Sequence, residues 1–236
     1  MKTAIIFIGH IRTWTECEDN FIESFGHLNS DVFISTYDLQ YNYHPAQRHW
    51  MRGTPDNYLS FVEIQNLVSN INVVNLDVES ISEITNIYEQ MRYKLHPNFQ
   101  DDSHTYFQYR KLNRAIESIK KEEIKNQCNY DNIIKIRFDI HHNKFNYNID
   151  DKTCIVSTGN VFPNDVIVAA TRDNFIKISH FCNSEFFNPI YNDSHLKPPH
   201  NLLLRAFDYC NLDVQENDLM KYVVRKTGKQ YYDNIK

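Results

Sequence analysis

The segment Tyr130–Ile140, YDNIIKIRFDI, decides the fold class. Ile133, Ile134, Ile136 and Phe138 form a near-continuous apolar run, interrupted only by Lys135 and Arg137. Such a run predicts a buried strand covered on both faces, as in a parallel sheet. The strand would carry Asp139 to its carboxyl end, where ligands sit in open α/β sheets. Arg137, two residues earlier, is expected on the same sheet face. A cation and an anion side by side at a strand exit suit a diphosphate and the metal that accompanies it. An internal ion pair capping the strand fits the same spacing.

Working outward, the chain alternates strands and helices, which predicts an α/β fold with a mostly parallel sheet. Residues 2–8 form an apolar strand running into Gly9, His10, Ile11 and Arg12. Thr13 and Glu16 then make a capping box, and Trp14, Cys17, Phe21, Phe25 and Leu28 recur at helical spacing. Gly9 lets backbone approach a ligand closely, and the helix start favours an anion. A plain strand-to-helix turn explains the glycine as well. The strand at 31–38, DVFISTYD, exits into Tyr37 and Asp38. An acid there suits sugar hydroxyls, or simply starts a turn.

Residues 39–53 are polar and aromatic without a period, and are read as a lid or acceptor-binding segment. Thr54 and Pro55 predict a helix continuing to about Val68, and a third strand is expected over 71–76. Ser80 and Glu83 make a second capping box, with Ile84, Ile87, Met91 and Leu95 as the buried face. The longest helix is expected over 106–127, with a stripe of Leu112, Ala115, Ile116, Ile119 and Ile124 and a Glu117–Lys121 pair. Later strands are expected near 154–157, 166–170 and 219–224, and helices near 172–183 and 201–211.

Composition bounds the function. A hydrophobic content of 42% over 236 residues allows a substantial core, and one large domain is preferred. A net charge of −5 without a basic block argues against nucleic acid as the main partner. Cys17, Cys128, Cys154, Cys182 and Cys210 are scattered, with no zinc spacing. The opening AIIFI is too short for a signal or a membrane span, so a cytoplasmic protein is expected.

The motifs FIGHIRTWTEC, DVFISTYD and YDNIIKIRFDI together resemble glycosyltransferases of the GT-A fold. More narrowly, they resemble the lipopolysaccharide- and capsule-type (WavE-like) transferases, whose patterns are close to "SGQxRTW…C…DVFIHTWD" and "YDxVIKxRFDL". In that group Arg-x-Asp stands in place of Asp-x-Asp, as it does here. FPNDVIVAATRDNF, residues 162–175, is similar to a further section of the family. His10 departs from a common Gln, and His200 from an expected acid.

The resemblance implies one domain over 1–236, with a nucleotide-sugar half (1–145) and an acceptor half (146–236). It implies donor contacts from Gly9, Arg12, Thr13, Tyr37, Asp38, Gln108, Lys111, Arg137 and Lys197. It also implies a Mn²⁺ or Mg²⁺ ion on Asp139, with His141 and His195 as further ligand candidates. Asp165, then Asp193, are the candidates for a carboxylate base. The expected activity is sugar transfer from a nucleotide-sugar to a hydroxyl on a glycan or lipid-linked acceptor. The alternative is a non-catalytic nucleotide- or glycan-binding module.

Overall fold

The computed structural model describes residues 1–11, 14–41, 55–92, 103–158, 164–186 and 200–223. Its centre is a seven-stranded sheet. Strands β1 (Thr3–Ile8), β2 (Ser30–Tyr37), β5 (Val73–Glu79) and β6 (Asn132–Ile136) supply one side. Strands β8 (Thr153–Ser157), β9 (Asn164–Thr171) and β10 (Asp213–Asn217) supply the other. The order is β10-β8-β9-β6-β1-β2-β5. All neighbours are parallel except β9, which runs against both β6 and β8. The sheet is therefore mostly parallel, and strands from both halves of the chain complete it. Two short ribbons are added: β3 (Leu39–Tyr41) with β4 (Pro55–Tyr58), and β7 (Ile140–His142) with β11 (Met220–Val223).

Strand alternation sorts the core into two layers. On β1, Ala4, Ile6 and Ile8 face one cluster, while Ile5 and Phe7 face the other. The first cluster is closed by helices α3 (Ile81–Arg92), α4 (Ser103–Asn126), α5 (Arg172–Glu185) and α6 (His200–Cys210). The second is closed by α1 (Trp14–Phe25) and α2 (Phe61–Leu67). Helix α1 buries Trp14, Cys17, Phe21 and Phe25, as its spacing requires. Among the described residues, no helix is long and apolar enough to cross a membrane.

Several expectations are corrected. The 130–140 segment is not one strand: β6 ends at Ile136, a turn follows, and β7 begins at Ile140. No single helix spans 54–68, because Pro55–Tyr58 pairs with Leu39–Tyr41 as β4. Helix α2 starts only at Phe61, behind a Ser60/Glu63 capping box. The Ser80 hydroxyl lies 2.8 Å from that of Ser82, and the Ile81 N–H is taken by Asp38 instead. Helix α3 buries Ile81, Ile84 and Tyr88, while Ile87 is exposed. Ile124 also lies outside the core, 78% exposed, and Glu117 pairs with Lys120.

Candidate functional site

The carboxyl ends of β2, β1 and β6 lie side by side. Ile8 is in register with Ser35, and Phe7 with Ile136. Gly9 follows β1, Asp38 follows β2 and Arg137 follows β6, so all three stand at the same edge of the sheet. Gly9 has φ 99°, a left-handed conformation that other residues adopt only with strain. The turn is fixed by its N–H donating to the Ser35 carbonyl at 3.3 Å, and by Thr36 Oγ1 donating to the Gly9 carbonyl at 2.7 Å.

The turn after β6 is set by Phe138. Its ring is 1% exposed and stacks on Phe7 at 4.9 Å, with Trp14 edge-on at 6.0 Å. With Phe138 anchored inward, the residues on either side of it meet each other. Arg137 Nε donates to Asp139 Oδ1 at 3.0 Å, and Nη2 donates to Oδ2 at 2.7 Å. This is a bidentate charge pair. Its members differ in access: the Asp139 side chain is 3% exposed and that of Arg137 is 26% exposed.

The other candidates are placed as follows. Asp38 caps α3, its Oδ1 accepting the Ile81 N–H at 2.9 Å. Tyr37 is 1% exposed and donates to the Phe107 carbonyl at 2.8 Å. Burial raises its hydroxyl pKa well above the ordinary value. Lys111 has no exposed surface; its Nζ lies 2.9 Å from Glu79, 3.6 Å from Asp77 and 4.4 Å over the Tyr37 ring. Burial lowers its pKa against those acids. The side chains of Tyr37 and Lys111 are thus engaged inside the core rather than presented at the strand ends. Gln108 is half-buried on α4. Asp165 is the second residue of β9, and the Lys135–Val168 pairing puts its backbone at the carboxyl edge of β6. Arg12, Thr13, Asp193, His195 and Lys197 lie outside the described residues.

Sequence reading missed the acids that hold α4. Asp77 and Glu79, near the end of β5, meet Arg114, Arg110 and Lys111 in one network. Ser35 donates to Asp77 at 2.7 Å. The signal was present as alternating acids in NLDVE, but only pairing with β2 shows that the strand extends through them. On the flank of α4, a cavity of 670 Å³ is lined in part by Arg110, Asn113, Arg114 and Lys121; neither Gly9 nor Asp139 borders it.

The expected divalent ion can be tested against these donors. Both Asp139 oxygens accept from Arg137. The His141 Nε2 lies 2.9 Å from the Glu16 carbonyl, so that nitrogen carries the proton and donates. His142 is 1% exposed and packs edge-on against Phe25 at 5.1 Å. Among the described residues, no three His, Cys, Asp or Glu side chains are grouped to hold a metal. As arranged, Asp139 is charge-paired with Arg137 and belongs to no group of three such side chains among the described residues, so the described residues do not make a divalent-ion site.

No protein-family model and no curated protein matches the chain. Among solved structures, a nucleoside-diphosphate-sugar pyrophosphorylase from Vibrio cholerae RC9 aligns at 8% identity and a TM-score of 0.44. That alignment covers 92% of this chain and 91% of the other. An active-site mutant of LgtC aligns at 7% identity and a TM-score of 0.47, covering 92% of this chain and 72% of the other. At these values no residue role or activity passes from either protein to this one.

Proposed function

We propose that the chain is a GT-A-type glycosyltransferase, moving a sugar from a nucleotide-sugar to a hydroxyl of a glycan or lipid-linked acceptor. One observation carries the reading: a left-handed glycine turn and a held guanidinium stand together at the carboxyl edge of adjacent parallel strands. Ligands bind at that edge in sheets of this kind. The motif resemblance set out from the sequence points the same way.

In this reading the Gly9 turn, with Arg12 and Thr13, receives the donor diphosphate. Gln108 and Lys197 are further donor contacts. The acceptor hydroxyl attacks the anomeric carbon, its C–O bond forms, the bond to the diphosphate breaks, and the nucleoside diphosphate leaves. Asp165 takes the hydroxyl proton if the configuration is inverted, with Asp193 as the second candidate.

The test is incubation of the full chain with a panel of nucleotide-sugars and oligosaccharide acceptors, reading nucleotide release. Release that rises with acceptor is the expected result. The Arg137–Asp139 pair also suits a binding module, so tight nucleotide binding with no sugar released from any donor would favour that second reading.

A further inference from the structure

We infer that Arg137, not a divalent ion, is the cation that meets the donor's diphosphate, so that the site binds nucleotide without metal. This rests on the nucleotide-sugar reading above and deepens it.

Three observations converge. First, the carboxylate that would hold a metal is already neutralised by a bidentate internal cation. Second, the pair presents its cationic member: the Asp139 side chain is 3% exposed against 26% for Arg137. An anion arriving from solvent therefore meets the guanidinium first, with the carboxylate behind it. Third, the pair does not wander. Phe138, between the two, is fixed on Phe7 of the neighbouring strand, two residues before Gly9.

The chemistry suits the position. A guanidinium is a planar fork of N–H donors matched to carboxylate and phosphate oxygens alike, and Asp139 holds one side of this fork. A buried acid behind it fixes the orientation before the ligand arrives, so little is reorganised on binding. The charge is permanent, because arginine does not titrate in the accessible range. A metal on Asp139 would share the carboxylate with Arg137 and sit beside its guanidinium, which like-charge repulsion opposes.

The experiment is calorimetric titration of the full chain with UDP, GDP, ADP, dTDP and CMP, in EDTA and in excess Mn²⁺. It is repeated for Asp139→Asn and for the double variant Arg137→Gln/Asp139→Asn, each checked for folding by circular dichroism. Asp139→Asn keeps the shape of the pair and removes its negative charge. The double variant avoids leaving a buried acid unpaired. The best wild-type ligand is expected to bind equally in both buffers, within about twofold. Asp139→Asn is expected to bind as tightly or more tightly in EDTA. The double variant should lose roughly tenfold or more, as expected when a charge-assisted contact is removed. Binding that appears only with Mn²⁺ and vanishes in Asp139→Asn overturns the inference but leaves the nucleotide-sugar reading standing. Metal-free binding that the double variant retains unchanged overturns the role of Arg137 alone. No binding of any nucleotide in either buffer removes both.

Discussion

The Tyr37 hydroxyl donates to the Phe107 carbonyl within the core. Tyr37→Phe keeps the ring and removes this one bond, while the carbonyl, inside α4, keeps its helical N–H. The loss of one such bond costs about 0.5–1.5 kcal/mol, so the urea midpoint should fall by a corresponding amount. Gly9 makes a contrasting case. A Cβ there would meet nothing within 4 Å, so steric exclusion is not the issue. The cost of Gly9→Ala lies in its φ of 99°, and comes to about 1–2 kcal/mol. A loss of stability well below 1 kcal/mol in chemical denaturation would show that the turn relaxes into another conformation. At this scale the sequence is readable where chemistry is local. Gly9 and the Arg137–Asp139 pair stand at the strand ends where their motifs put them. Tyr37 and Lys111 do not read correctly, because their partners Phe107, Asp77 and Glu79 are distant in sequence. A buried lysine and a solvated one look the same until the acids that hold it are known.

Among elements, the strongly periodic helices and the apolar strands of the parallel region follow from pattern. What pattern misses is pairing. Strand β4 carries Pro55, whose fixed φ suits a helix start and an edge-strand position alike. Strand β10, DVQEN, is polar and lies at the sheet edge, so no apolar run announces it. The true start of α2 is the Ser60/Glu63 box: Ser60 Oγ accepts the Glu63 N–H at 3.3 Å, and Glu63 accepts the Ser60 N–H at 2.7 Å. Ser60→Ala should cost about 1 kcal/mol by removing the cap. Faster hydrogen exchange at the Glu63 amide, with the central sheet unchanged, is the expected signature. Exchange unchanged at Glu63 would mean that packing of Ile64 alone holds the helix.

The molecule as a whole draws its acid sensitivity from groups on opposite faces of the sheet. His142 is pinned between β7 and α1: Asn20 Nδ2 and Ser24 Oγ both donate to its carbonyl at 3.1 Å. Its Nδ1 has no hydrogen-bond partner among the described residues. Burial, with His141 nearby, lowers its pKa from 6.5 to about 3. At pH 7 the group is neutral in both folded and unfolded chains. As pH falls through 6.5 the unfolded chain binds a proton that the fold refuses, so stability drops by up to about 1.4 kcal/mol per pH unit, until about pH 3. Asp77 acts lower. Burial alone would raise its pKa, but hydrogen bonds from Arg114 and Ser35 and the charge of Lys111 outweigh it and leave about 2. Its folded pKa lies below the ordinary 3.8, so its contribution is complete above that value and is lost as pH falls toward 2. Urea unfolding from pH 7 to 2.5 should therefore weaken in two stages. His142→Phe, which keeps a ring against Phe25, should flatten the upper stage and leave the lower one. Asp77→Asn should lower stability at neutral pH and flatten the lower stage. If His142→Phe parallels the wild type between pH 6.5 and 4, His142 takes up its proton in the fold as readily as in the unfolded chain, and the ribbon of β7 and β11 opens to water without unfolding the sheet.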